Sequence, residues 1–216
     1  LTYIEVIPHY LMINILLQGG LSMVFKKQKY QIIRNVISKE LTDFCYQYLK
    51  LRRIALHHML TKKLISVYDY SFGSFGDPMI PECYCIYGDP CMETLLIGMQ
   101  KNVEKITALK LVPTYAYARI YKQGNLMRKH KDRLSCEIST TLNLGGTLWP
   151  IYLEGKAIKL NPGDMLVYKG CELEHWRNKL KEGECAQVFL HYNKDTKKVI
   201  KFDNRAALGV PLYGKG

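Results

Sequence analysis

No stretch of this chain is long and apolar enough to read as a membrane span. The best candidate, residues 10–24, is interrupted by Asn14, Gln18 and two glycines, whereas a span needs about 20 mostly apolar residues. The opening residues also lack the basic start and small-residue cleavage site of a signal peptide. Cysteine supplies no paired framework. The seven thiols, Cys45, Cys83, Cys85, Cys91, Cys136, Cys171 and Cys185, are odd in number, and a chain of 216 residues does not need disulfides to hold a core. They read as reduced thiols, and the expected setting is cytoplasmic. Cys83, Cys85 and Cys91 cluster, but the first two are spaced C-x-C rather than C-x2-C and no fourth ligand lies close. Surface-loop and core cysteines are therefore a better reading than zinc. Repeats, low-complexity linkers and a long basic tail are also missing. Acidic residues are scarce, 19 against 31 Lys and Arg, for a formal charge of +12. That field favours anionic partners, nucleic acid included. The cations are nevertheless spread out, with short knots at Lys26-Lys27, Arg52-Arg53, Lys62-Lys63 and Lys197-Lys198, so solvated surface charge is the plainer reading.

What is present suffices for one core: 48% of residues are apolar and 11% aromatic. Residues 1–22 look poorly joined to the rest of the chain. The expectation is that Met23 is the natural start and that 1–22 is an extension, leaving 23–216 as a single domain with a helical part at about 38–107 and a β core at about 111–193.

Residues 30–36 form a β-like run. Ser38 is placed to cap a helix by accepting from its orphan N–H groups, and Leu41, Phe44, Cys45, Tyr48 and Leu49 follow at helical spacing. Residues 71–88 are rich in Gly, Pro and aromatics and hold Asp77 and Glu82 but no basic residue. They read as a loop or lid rather than an element. Asp89-Pro90 opens a second helix as cap and first residue, with Leu95, Leu96, Met99, Val103 and Ile106 facing inward. From Pro113 the period changes to two. Strands are expected over 115–121, 126–131, 137–144, 157–160, 165–168, 174–177 and 186–192, with turns at 122–125 and at Asn161-Pro162-Gly163-Asp164. The fold class is α+β, mainly β: a jelly roll flanked by N-terminal helices.

Within that β region lie His130-Lys131-Asp132 and, far downstream, His175. A histidine and a carboxylate two residues apart on an extended strand share a face. A second histidine from a distant strand would complete a two-histidine, one-carboxylate set, which leaves three adjacent positions open on an octahedral metal and suits Fe(II). The spacing alone is common, so the surroundings must carry the case.

Those surroundings are Arg119-Ile120-Tyr121, Gly124 and His130-Lys131-Asp132, then Pro162-Gly163-Asp164, Leu166-Val167-Tyr168, Gly170 and His175, closing on Gly183 and residues 187–192. In this order they resemble the Fe(II)/2-oxoglutarate-dependent dioxygenases, most closely the prolyl-hydroxylase-like branch with its phage and marine bacterial members. The resemblance covers residues 111–193. It implies a double-stranded β-helix of the cupin-like kind, with His130, Asp132 and His175 as iron ligands and 2-oxoglutarate as cosubstrate, and it leaves room for ascorbate as a reductant. The implied reaction hydroxylates a prolyl, peptidyl or small-molecule substrate and releases succinate and carbon dioxide.

One departure stands out. The family's basic residue about ten positions beyond the second histidine, which pairs with the far carboxylate of 2-oxoglutarate, is replaced here by Glu184, Cys185 and Ala186. The pocket still needs a cation. Arg177 is the candidate, because two residues after His175 it shares that residue's inward face; Arg119 ranks behind it. Tyr121 holds the position from which a tyrosine often contacts the cosubstrate, with core packing as its alternative. Arg133 and Glu137 are expected to pair at the mouth or to touch substrate. Trp149 and Trp176 are placed near the mouth, the second facing away from His175. His191 alternates inward as packing or as a hydrogen-bond partner, and His9, His57 and His58 have no such context. The 71–88 segment is the expected lid. Two other readings stand beside the oxygenase: a non-catalytic metal- or ligand-binding barrel, which the missing basic residue favours, and a nucleic-acid demethylase, which the charge favours.

Overall fold

The computed structural model describes residues 22–196, 199–201 and 203–210. Of the expected extension 1–22, residues 1–21, with His9, lie outside them. A short helix over residues 22–28 leads into β1 (Tyr30–Ile33) and then α1 (Lys39–Thr61). Ser38 caps α1 as expected, its side chain accepting from the Leu41 N–H. The buried stripe of α1 is Thr42, Cys45, Leu49 and Leu56. Leu41 and Phe44, expected on that face, are 38% and 59% exposed. The contact with the sheet is narrow, so residues one position off the stripe sit on its flank. Asp89 caps α2 (Pro90–Thr107) by accepting from Cys91 N and Met92 N. Leu95, Leu96, Val103 and Ile106 of α2 are buried and Met99 is half-buried.

The remaining strands are β2 (Ser74–Phe75), β3 (Tyr84–Tyr87), β4 (Leu111–Lys122), β5 (Met127–His130), β6 (Ile138–Gly146), β7 (Ile151–Leu153), β8 (Lys156–Ile158), β9 (Met165–Tyr168), β10 (His175–Arg177) and β11 (Glu184–Lys194). They form two antiparallel sheets, ordered β1-β9-β6-β11-β4-β3-β2 and β5-β10-β7-β8. From β4 onward the chain winds between the sheets, which is the double-stranded β-helix the sequence implied. One apolar cluster fills the space between the larger sheet's outer face and the helices, and includes Cys45, Leu49, Leu96, Val103, Ala118, Val188 and Leu190. A second lies between the sheets, with Tyr121, Trp149, Leu166, Tyr168 and Phe189.

Two readings need correction. The 71–88 segment is not loop throughout, because β2 and β3 lie within it and β3 pairs with β4, Tyr84 against Ile120 and Tyr87 against Tyr117. Only that long-range partner makes Tyr84–Tyr87 a strand, since Gly and Pro dominate its local context. β7, three residues long, was not anticipated.

The turn before β9 has a physical logic. Gly163 takes φ +87, a conformation glycine adopts without penalty. Asp164 then accepts from Asn161 N at 2.8 Å, Asn35 N at 3.0 Å and Arg34 Nη1 at 2.6 Å. Burial opposes the charge, but Arg34 and the two backbone donors outweigh it and hold the carboxyl below the usual carboxylate range. The folded pKa is therefore below the unfolded one. The stability this group contributes is full above the unfolded value, about 3.9, and is lost as pH falls through the folded value. Asp164→Asn is expected to cost about 1–3 kcal/mol at pH 7, with the gap to the parent narrowing below about pH 4. Denaturant unfolding at several pH values checks this; a gap independent of pH would contradict it.

Candidate metal centre

Strand pairing brings the two histidines together: His175 at the start of β10 is registered directly against His130 at the end of β5. Their ring centroids are 4.2 Å apart. Asp132 lies two residues past His130, where its backbone N–H donates to Gly170 O at 2.9 Å. Its Oδ1 sits 3.6 Å from His130 Nε2 and 3.4 Å from His175 Nε2. The three donor atoms all lie within 4.8 Å of one another.

The rings are oriented from behind. His130 Nδ1 meets Arg128 O at 2.8 Å and His175 Nδ1 meets Leu173 O at 3.0 Å. A carbonyl can only accept, so Nδ1 carries a proton and Nε2 is the atom that faces Asp132, as a donor when the ring is charged and as a lone pair when it is neutral. Burial disfavours the Asp132 charge, yet hydrogen bonds from His130 and His175 hold its carboxyl well below the usual range. Burial likewise opposes a charged His130, but the Asp132 contact and the Arg128 carbonyl move it upward.

Asp132 is also fixed from its other oxygen. Ser139 Oγ, on β6, donates to Oδ2 at 2.6 Å and lies 3.1 Å from His191 Nδ1 on β11. Burial lowers the His191 pKa to about 4, so this imidazole is neutral at pH 7. His191 takes the hydrogen-bonding role expected of it. Gly170 explains itself here: a Cβ would come within 2.4 Å of both Asp132 Oδ2 and Ser139 Oγ. Ser139 is the residue the sequence reading missed. The signal was faint, a serine in a β run one strand away from His191.

A cavity of about 420 Å³ opens onto the three donors, within the range of small-molecule sites. Its wall includes Asp77, Met79, Tyr87, Tyr115, Tyr117, Arg119, Arg133, Tyr168 and Phe189. Asp77 and Met79 bring the 71–88 segment, the expected lid, to the cavity wall. Arg177 and Tyr121 are not among the lining residues. Both are buried deeper, where Tyr121 meets Trp149 edge-on at 4.9 Å and the Arg177 guanidinium lies 5.1 Å from the Trp149 ring centre. Arg177 donates through Nη1 to Trp149 O, while its Nε and Nη2 have no partner among the described residues. Its charge acts on Tyr121, Tyr168 and Cys185.

Other expectations sort themselves. Trp149 packs on the interior arginine rather than walling the mouth. Trp176 faces away, stacked on Tyr152 at 5.3 Å. Glu137 pairs with Lys194 at 2.5 Å, whereas Arg133 lines the cavity. His57 and His58 are exposed on α1. Cys83 and Cys85 do come within 4.8 Å of an Asp77 oxygen. That carboxylate already accepts from Met79 N, Ile80 N, Tyr117 and Arg119, and a guanidinium beside it disfavours a metal cation. Cys91 lies apart on α2.

The chain has the double-stranded β-helix fold of the 2-oxoglutarate/Fe(II) oxygenases, and solved structures make the likeness concrete. A prolyl-4-hydroxylase from Pseudomonas putida superimposes with a TM-score of 0.62 at 12% identity, covering 82% of this chain and 99% of that one. HygX from Streptomyces hygroscopicus, with nickel and 2-oxoglutarate bound, gives 0.61 at 12% identity over 90% and 94%. The non-heme α-ketoglutarate-dependent epimerase SnoN from nogalamycin biosynthesis gives 0.60 at 10% identity over 93% and 97%. At these identities the likeness is one of fold. No family model matches the chain, and no curated protein matches it in sequence. Among the described residues, no helix is long and apolar enough to cross a membrane.

Proposed function

We propose that this protein is an Fe(II)- and 2-oxoglutarate-dependent dioxygenase, with His130, Asp132 and His175 as the metal ligands. The observation that carries the proposal is the convergence of His130 Nε2, Asp132 Oδ1 and His175 Nε2 on one point at the edge of a ligand-sized cavity. Two imidazoles and one carboxylate suit Fe(II) and leave adjacent positions open. Bound iron and 2-oxoglutarate would supply the oxidation, releasing succinate and carbon dioxide and inserting oxygen into a substrate C–H bond.

The residues present fit the cosubstrate. Arg177 is a buried cation whose Nε and Nη2 lack partners among the described residues, which is costly unless an anion completes it. Its fork would hold the far carboxylate of 2-oxoglutarate bidentately, while the Tyr121 hydroxyl accepts from Arg119 Nη1 at 3.3 Å. Arg177 is not among the residues that line the cavity, so a dicarboxylate reaching it would require the wall to rearrange. Ser139 holds Asp132 Oδ2, so that Oδ1 alone faces the histidines. His191, kept neutral by burial, fixes the serine.

HygX has been solved with hygromycin B, and a prolyl hydroxylase from Trichoplax adhaerens with a hypoxia inducible factor peptide. Small-molecule and peptidyl substrates thus both occur on this fold, and either class is open to this chain. The test is succinate release that requires both iron and 2-oxoglutarate. Metal binding with no such turnover against any substrate would favour the non-catalytic barrel. Salt-sensitive single-stranded DNA binding would favour the demethylase. Ser139→Ala is expected to weaken metal binding by roughly 10- to 100-fold, measured by competition with a chelating dye. Unchanged affinity would remove Ser139 from its positioning role.

A further inference from the structure

We propose that Arg119 and the Tyr117 hydroxyl form a recognition site for a carboxylate on the primary substrate, and that Asp77 fills this site in cis until substrate arrives. The inference rests on the oxygenase reading and names the substrate class of that same cavity: an acid with an apolar or planar body.

The site is built on a strand and its occupant on a connection. Tyr117 and Arg119 alternate inward from β4, the long strand held between β3 and β11. Asp77 lies between β2 and β3, at the end of that sheet. Its Oδ2 accepts from Tyr117 at 2.8 Å and from Arg119 Nη2. The pair is dry, with side-chain exposures of 9% for Arg119 and 13% for Asp77. A carboxylate is therefore already seated where a guanidinium and a phenol converge on the wall of the metal-side cavity, which defines the group the site accepts. Arg119 Nε is buried and has no partner among the described residues, so the resident carboxylate satisfies this arginine only in part. An incoming acid with better access to the fork can do more.

Apart from Arg119 and Tyr117, what holds Asp77 in place is local to its own connection. Among the described residues its Oδ1 accepts only from its own segment, Met79 N and Ile80 N, both at 2.8 Å. The neighbouring backbone is held by Gly76 N donating to Cys83 O at 2.6 Å and Asp77 N donating to Ile80 O at 3.2 Å, with thiols beside the same carbonyls: Cys85 Sγ lies 3.7 Å from Gly76 O, and Cys83 Sγ donates to Ile80 O at 3.4 Å. Such sulfur contacts are soft. The acids lining the cavity are Asp77 and the proposed ligand Asp132, against Arg119 and Arg133. Withdrawal of Asp77 leaves the wall positive, which suits an anion. Cationic substrates are disfavoured, since Arg119 already lies over the Tyr117 and Phe189 rings, at 4.8 and 5.8 Å.

The probes are benzoate and its neutral isostere benzamide, titrated into the full chain without iron or 2-oxoglutarate. In Asp77→Asn benzoate is expected to bind at least about tenfold tighter than in the parent, with benzamide unmoved. The gain should vanish in the Asp77→Asn/Arg119→Gln double variant. Equal benzoate affinity in parent and Asp77→Asn, or a gain that survives loss of Arg119, overturns the proposal. If Asp77→Asn does not fold, hydrogen exchange on the parent decides. Amides of Met79 and Ile80 that exchange faster with benzoate but not with benzamide support displacement of Asp77, and exchange unchanged by benzoate overturns it. Both measurements are metal-free, so their failure is separable from failure of iron-dependent succinate release.

Discussion

Asp132→Ala is expected to reduce iron- and 2-oxoglutarate-dependent succinate release to the level of the iron-free protein, and His175→Ala to do the same, without unfolding the barrel. The size of the effect comes from how the three donors are assembled. His130 and His175 face each other across one strand pair, and among the described residues Asp132 Oδ1 is the carboxylate oxygen directed at both rings. Removing any one leaves two ligands, too few to hold the metal with an open face. The fold should survive because each backbone is held independently: Asp132 N donates to Gly170 O, and β10 pairs with both β5 and β7. Removing Asp132 also deletes a buried charge. Circular dichroism and thermal melting alongside the succinate assay check both halves. Succinate release that persists in well-folded Asp132→Ala would mean that these residues are not the ligands.

Arg177→Met should split stability from cosubstrate use. In the absence of an anion, Arg177 is a buried cation with two unpartnered nitrogens among the described residues, and an apolar side chain of similar length removes that desolvation cost. The apo protein is expected to gain of order 1–3 kcal/mol in unfolding free energy. The same change removes the proposed partner of the far carboxylate. The 2-oxoglutarate requirement should rise by roughly 2–5 kcal/mol, thirtyfold or more. Differential scanning fluorimetry with and without 2-oxoglutarate reads both effects, as a raised baseline Tm and a lost ligand-induced shift. If the shift is retained in Arg177→Met and lost in Arg119→Gln, the cosubstrate uses the cavity-wall arginine instead.

Much of this architecture is legible in the sequence, and the reasons are physical. The caps at Ser38 and Asp89 are local chemistry, an oxygen beside orphan N–H groups, and both helices begin where those residues say. Long strands such as β4 and β11 declare themselves by alternation over many residues. β3 does not, because four residues between Gly and Pro become a strand only when β4 pairs with them. The histidine-aspartate pair and its distant partner were visible as a spacing, but their convergence depends on the β5–β10 register, which no local signal encodes. Ser139 and Gly170 show the same limit. Each matters because Asp132 happens to lie against it, at 2.6 Å for the serine oxygen and at 2.4 Å for a Cβ that glycine lacks. The role of Asp77 was equally hidden: its acidity was plain in a segment without basic residues, but its seat on Arg119 is a contact across 42 residues of sequence.

The central claim is that two imidazoles and one carboxylate oxygen hold a single ferrous ion with room for a chelating keto acid. Anaerobic titration of the protein with iron(II) and 2-oxoglutarate tests it most directly, through the visible charge-transfer absorption of an iron-chelated 2-keto acid. The band should appear only with both components and be absent from Asp132→Ala. A parent protein that shows no band, or an Asp132→Ala protein that shows it undiminished, would contradict the claim.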